Sequence, residues 1–137
     1  MKSKAKEVYE SMMKTDYCSQ WLDVKPLLIE EGRCELEMRV RKEMLNGFGT
    51  LHGGIAYSLA DSALAFAANS YGRISPLING NMSYSKAAKE GDVLIAKAVV
   101  ISLGNKKADI DVTVFCQGEP YYFFRGTVYR TSKEHLV

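Results

Sequence analysis

Nine residues, Asn46 to Gly54, read NGFGTLHGG: four glycines in a run that opens on an amide side chain and closes just past a histidine. So dense a glycine run is a loop with tight backbone conformations. It leads into GIAYSLADSALAFAANSY, residues 54–71, an alanine-rich stretch that stops at Gly72 and reads as one long helix. The first turn of a helix carries free N–H groups and a partial positive charge. Glycine lets a ligand approach those donors. The junction at His52, Gly53 and Gly54 can therefore bind a phosphate, or hold the oxyanion that develops on a polarised carbonyl. No Gly-Lys-Ser/Thr follows, which excludes a Walker loop, and the glycine spacing is not a dinucleotide fingerprint.

Eight residues beyond Gly53 stands Asp61, the single charge in this helix. A carboxylate enclosed among apolar neighbours loses hydration, so its pKa rises above about 3.9 and it becomes a better base or nucleophile. The plainer alternative is a carboxylate that faces solvent or caps a neighbouring loop. Eight residues of helix span about 12 Å. A carbonyl held at the Gly53 N–H is then out of reach of Asp61 on the same helix. If both act on one substrate, a second copy supplies one of them, and a twofold dimer with antiparallel central helices creates two equivalent sites.

The elements that position these residues are legible from periodicity. Ala5, Val8, Tyr9 and Met12 predict a short amphipathic helix over 4–15. Leu22 to Ile29 reads as a strand in which Pro26 marks an edge or a bulge. Arg33 to Arg41 alternates apolar and charged residues as a half-buried strand does. Four more extended runs follow the long helix: Leu77 to Ala87, Asp92 to Ser102, Lys106 to Gln117 and Tyr121 to Arg130. Asp92 to Ser102 is apolar and β-branched, which suits a central strand, and Gly118-Glu119-Pro120 turns the last pair. Helix, two strands, long helix, four strands predicts a single α+β domain with the helix laid on an antiparallel sheet.

Composition narrows the function. Among 137 residues, 18 Lys and Arg stand against 16 Asp and Glu, a net charge of +2 that excludes an acidic solvating tail and leaves no basic surplus for nucleic acid. Cys18, Cys34 and Cys116 are widely spaced, which argues against a disulfide framework or a CxxC site. Cys34 and Cys116 fall in apolar-alternating runs and read as buried thiols. His52 and His135 lie too far apart for a zinc site without paired cysteines. Ser, Asp and Asn interrupt the long helix and its apolar residues are small, so it does not suit a membrane span. The opening MKSKAKEVYESMMKTD lacks the apolar core of a signal peptide, and a cytoplasmic protein is expected.

HGGIAYSLADSALAFAANSYG, preceded by Asn46-Gly47 and Gly49, resembles the signature of hotdog-fold acyl-CoA thioesterases, and within them the PaaI-like group. The resemblance extends over about residues 20–131 and leaves the first helix outside. It implies a hotdog fold, a long central helix wrapped by a curved antiparallel sheet. It implies that Asn46 binds the region of the thioester carbonyl and that the Gly53 backbone N–H, with Gly54 beside it, meets the thioester oxygen. Asp61, reaching in from the partner subunit, serves as base or nucleophile, and His52 shapes the loop. Some relatives carry a hydroxyl early in the strand after the helix. Leu77 stands there in this chain, and Asn79, Asn81 and Ser83, alternating onto one strand face, are candidates to compensate.

The implied substrate is an acyl-CoA, with coenzyme A part of the substrate and no separate cofactor or metal. Lys86 and Lys89, in SKAAKEGD, are candidates for its phosphates, with an ordinary solvated turn as the alternative; Lys106 and Lys107 are weaker candidates. Phe48, Tyr57 and Tyr84 can wall the acyl pocket or simply pack in the core. The resemblance implies a homodimer at least, and a tetramer built from two dimers. Two other readings keep the fold: a hydratase or dehydratase that pairs His52 with Asp61, and an acyl-CoA-binding protein without activity. The identity of the acyl group stays open.

Overall fold

In a computed structural model that describes residues 1–137, the alternating runs become six strands: β1 (Lys25–Glu30), β2 (Arg33–Arg39), β3 (Leu77–Tyr84), β4 (Val93–Leu103), β5 (Lys107–Cys116) and β6 (Glu119–Tyr129). They form one antiparallel sheet in the order β1-β2-β4-β5-β6-β3. Helices α1 (Lys4–Met13), α2 (Tyr17–Leu22) and α3 (Gly53–Asn69) complete the chain, with a short 3-10 turn at Lys42–Met44. β1 is an edge strand with a register shift between Pro26 and Leu28, where the proline cannot donate to a ladder. β4 sits inside the sheet, between β2 and β5.

Period-two patterning decides which face meets the helix. Ala108, Ile110, Val112 and Val114 of β5 are buried on the inner face, joined by Leu36 and Met38 of β2 and Tyr122, Phe124 and Val128 of β6. Against that face α3 buries Ala56, Leu59, Ala60, Ala63, Leu64, Phe66, Ala67 and Ala68. Each large apolar side chain so enclosed contributes about 1.5–3 kcal/mol. The run of alanines lets the backbone of α3 come close to the sheet. Gly80 and Gly126, opposite one another on β3 and β6, take this furthest. A Cβ at Gly80 would stand 2.5 Å from the Tyr57 hydroxyl, and one at Gly126 would stand 2.6 Å from Leu64 and 2.7 Å from Leu77. This is the hotdog fold, a helix wrapped by a curved antiparallel sheet, with the short helix α1 laid beside it.

Three local features depart from the sequence reading. Residues 17–22 are helical and the first strand begins only at Lys25. Asp16 caps α2 by accepting the Ser19 N–H at 2.9 Å, and Asp23 ends it in the left-handed region, φ 57°. At six residues the helix is too short to show periodicity. The last hairpin turns at Gln117 and Gly118, both with positive φ, so Glu119 and Pro120 already belong to β6. The other boundaries stay in place or move by up to three residues.

Beyond β6 the chain folds back over the connection between α3 and β3. Thr131 N–H donates to Ile74 O at 3.0 Å, Ile74 N–H to Lys133 O at 2.8 Å, and His135 N–H to Gly72 O at 2.9 Å. Cys34 and Cys116 are buried free thiols, and Cys18 is exposed. No helix is long and apolar enough to cross a membrane.

Candidate functional site

The glycine loop is held by its own amide. Asn46 Oδ1 accepts the N–H of Phe48 at 2.9 Å, the N–H of Thr50 at 3.1 Å and the Thr50 hydroxyl at 3.3 Å. Gly49 occupies the tip at φ +81°, a conformation that costs glycine nothing. Asn46 Nδ2 is left with one long bond, 3.5 Å to Leu51 O, so its donor side is the side available to a ligand.

The loop delivers His52 as the N-cap of α3, and its ring Nδ1 accepts the Gly54 N–H at 2.9 Å. The His52 carbonyl takes the N–H groups of Ile55 and Ala56. The bond from Ala56 is the first regular one of the helix; of the four donors left open before it, His52 N–H goes to Met44 O at 2.9 Å, Gly54 and Ile55 are satisfied as above, and the Gly53 N–H alone has no partner. It borders a cavity of about 410 Å³ shared with Asn46, Tyr84, Lys86 and Tyr122. The Tyr84 hydroxyl donates to Gly53 O at 3.1 Å and fixes that peptide. Lys86 is ion-paired with Glu119 at the rim.

Asp61 lies in a separate cavity of about 240 Å³, with Met12, Leu64, Leu77, Asn69 and His135 among its walls. Burial pushes its carboxyl above the usual carboxylate range, and Asp16 adds to the rise; no hydrogen bond offsets either. Ser62, the next residue, is tied instead to α2 through Ser19 at 2.8 Å, and Ser19 in turn donates to Asp16 at 2.6 Å. The reading of an enclosed, unpaired carboxylate fits this setting better than that of a loop cap.

The expected residues therefore divide. Asn46, Gly53 and Lys86 come together with Tyr84, and Asp61 stands apart from them within one chain. Asn79, Asn81 and Ser83 do not lie on the face of Leu77 within this chain. The pleat turns them to the outer face, where they line a groove with Asp111, Thr113 and Arg125, while Leu77, Gly80 and Met82 face α3. Lys89 is exposed outside the Gly53 cavity, with its N–H bonded to Asp92 at 2.8 Å. Phe48 is 90% exposed and walls nothing in this chain. Tyr57 packs edge-on against Phe124 at 4.8 Å.

Asn69, Ser75 and His135, all in the Asp61 cavity, escaped the sequence reading. Asp61, Ala65 and Asn69 do fall at i, i+4, i+8 on one helix stripe, a signal that was available for Asn69. No group of three or more His, Cys, Asp or Glu is placed to hold a metal ion.

Residues 48–121 match the family model described as the thioesterase superfamily. A protein of Archaeoglobus fulgidus that carries an esterase name is 40% identical over 128 residues, 93% of this chain and 83% of the relative. The acyl-coenzyme A thioesterase PaaI of Escherichia coli is 31% identical over 131 residues, 95% of this chain and 94% of that protein. The solved structure of the E. coli PaaI protein from the phenylacetic acid degradation operon superposes with a TM-score of 0.93 at 30% identity, covering 96% of each chain. A Streptococcus mutans protein, smu.793, solved with acetyl CoA bound, has a TM-score of 0.79 at 25% identity, covering 81% of this chain and 90% of that one. The chain belongs to the thioesterase superfamily. Within it, sequence and fold place it among the PaaI-like hotdog thioesterases.

Proposed function

We propose that this protein hydrolyses acyl-CoA thioesters to a free acid and coenzyme A, at a site completed by two copies of the chain. The observation that carries the reading is the Gly53 N–H, the one donor at the start of α3 without a partner, at the wall of a cavity. A thioester oxygen set against it would be polarised, and the negative charge developing there would be stabilised without reorganisation. The donor side of Asn46 can assist. The names of E. coli PaaI and of the acetyl-CoA-bound relative support the substrate class.

Asp61 is the base or the nucleophile. As base, it takes a proton from water while the water oxygen attacks the carbonyl carbon; the C–S bond breaks and the thiolate leaves, to be protonated in turn. As nucleophile, a carboxylate oxygen attacks, the thiolate leaves, and water cleaves the mixed anhydride. Either route draws on the chain's own residues, the acyl-CoA and one water molecule.

If Gly53 and Asp61 act on one substrate, their separation of about 12 Å along α3 supports a site shared between two subunits. β3 is a free edge with Ile78 53% exposed, and the Asp61 face of α3 beside it is only partly covered. A homodimer through this side brings the Asp61 of one copy towards the Gly53 of the other, and two such dimers can pair as a tetramer. Lys86 is positioned to exchange Glu119 for a coenzyme A phosphate. With Nδ1 accepting the Gly54 N–H, the ring has only its Nε2–H donor free, so His52 must give up that bond before it can act as a base in a hydratase, which weakens that alternative.

The test is thiol release across a panel of acyl-CoAs, wild type beside Asp61→Asn, with mass measured by light scattering. Hydrolysis by a dimer or larger assembly that collapses in the variant is the expected result. An active monomer would overturn the shared site, and binding without release would overturn the activity.

A further inference from the structure

The cavity beside Asp61 has an end wall that bond cleavage does not itself require. Asp61, Ala65 and Asn69 follow one another at intervals of four, so the cavity runs along a stripe of α3 about 12 Å long. Met12, Leu64 and Leu77 give it apolar sides. At the Asn69 end it meets His135, which arrives from the segment that folds back after β6. At about 240 Å³ it lies below the ~300–1,000 Å³ of sites for drug-sized ligands, enough for a compact acyl group and not for coenzyme A.

The histidine is held firmly. Asn69 Nδ2 donates to Ala65 O at 2.8 Å and to Ser75 O at 3.1 Å, and Asn69 Oδ1 accepts the Ser75 N–H at 2.8 Å. These bonds fix which end of the amide is oxygen. The contact of 2.7 Å between Asn69 Oδ1 and His135 Nε2 is therefore a bond donated by the ring, and Nε2 carries the proton. Burial lowers the pKa of the ring and favours its neutral form, against a smaller opposing effect of Glu134. The backbone is fixed as well, by the Thr131, Lys133 and His135 bonds to residues 72–74. His135 is thus a fixed wall, half-buried and anchored through both its ring and its backbone N–H.

We propose that His135 terminates the acyl pocket and sets the length of acyl group that the enzyme accepts, selecting short and medium acyl thioesters over long ones. The inference rests on the thioesterase reading and on Asp61 marking the reacting end of the pocket. Its chemistry is exclusion: an acyl chain longer than the Asp61–Asn69 stripe must displace an imidazole held by its neighbours.

The experiment is the acyl-length profile of kcat/KM, from two to sixteen carbons, for wild type, His135→Ala and His135→Leu, with a melting curve for each. Alanine opens the end wall. Leucine keeps about its volume and loses only the hydrogen bond. The expected result is that His135→Ala raises kcat/KM for long chains relative to short ones by about tenfold or more, while His135→Leu keeps the wild-type profile. Unchanged profiles in both variants, with both folded, would overturn the proposal. Equal shifts in both would overturn the assignment to volume. No hydrolysis by the wild type on any chain length would overturn the thioesterase reading itself, and this proposal falls with it.

Discussion

Asp61 and Asp111 each stand at the wall of a cavity, in opposite circumstances. Asp111, on the outer face of β5, borders a groove of about 600 Å³ and is met by both Nε and Nη2 of Arg125, at 2.5 and 2.9 Å. Its neighbour on that face, Asp109, accepts the Thr127 hydroxyl at 2.6 Å. Asp61 borders a cavity less than half that size, with no partner to offset its burial. The larger cavity is the electrostatically finished one. A carboxylate that folding has dehydrated and left uncompensated is the stronger candidate, because the cost of that state has to be met by the rest of the fold.

The sharpest way to break the comparison is Asp61→Asn, for which kcat is expected to fall by between about 100- and 10,000-fold. The same variant should melt higher than wild type at pH 7. Burial raises the Asp61 pKa above its ordinary 3.8, so the folded chain binds that proton more tightly than the unfolded chain. Wild-type stability therefore declines as pH rises from 3.8 through the folded pKa, and asparagine removes the decline. A higher melting temperature for the variant at pH 7, with the difference vanishing below pH 3.8, is the expected result. The acid limb of the wild-type rate profile should likewise have its midpoint above 3.8. Full turnover in the variant would class Asp61 with Asp111.

A second pair of variants tests the donor. Gly53→Pro and Gly53→Ala both add a Cβ, which stands 3.2 Å from the Tyr84 ring, but only proline lacks the N–H. Proline suits the first position of a helix, so the helix is expected to survive. The proline variant should run about 100-fold below the alanine variant in kcat. Equal rates would remove the N–H from the mechanism. For Lys86→Ala, a rise in KM of about threefold with kcat unchanged is expected, diminishing as salt is added. The smallest effect belongs to Asp111→Asn: turnover within about twofold of wild type and a melting shift below about 2 °C, since an exposed ion pair contributes little.

Much of the architecture was legible in the chain because its strands are half-buried. One face of β5 reads Ala108, Ile110, Val112, Val114 and Cys116, and that alternation states both the strand and its inward side. Helix α2 was not legible. Its six residues depend on the Asp16 cap and on Ser19 bonded to Ser62, a contact across 43 residues of sequence. The site divided along similar lines. Gly53 and Asp61 announce themselves through local composition, a glycine run and a lone charge. The outward turn of Asn79, Asn81 and Ser83 depends on β3 pairing with β6 in one register, with a shift between Leu77 and Asn79, and a one-residue change of register would have put them inside. His135 lies 66 residues from the amide that holds it, beyond the reach of any periodicity.

The bare spot that Gly80 and Gly126 leave on the sheet has a consequence for how the enzyme can vary. A methyl group at position 126 would press on Leu64 and Leu77, and both are walls of the Asp61 cavity. One at position 80 would press on Tyr57, one turn before Asp61. The two positions act on the cavity at one remove, through the side chains of α3 and β3 that an added methyl group would have to displace. An exchange at either position must therefore move the side chains that bound the carboxylate's surroundings, and so alters the calibre of the cavity as well as the packing beneath it.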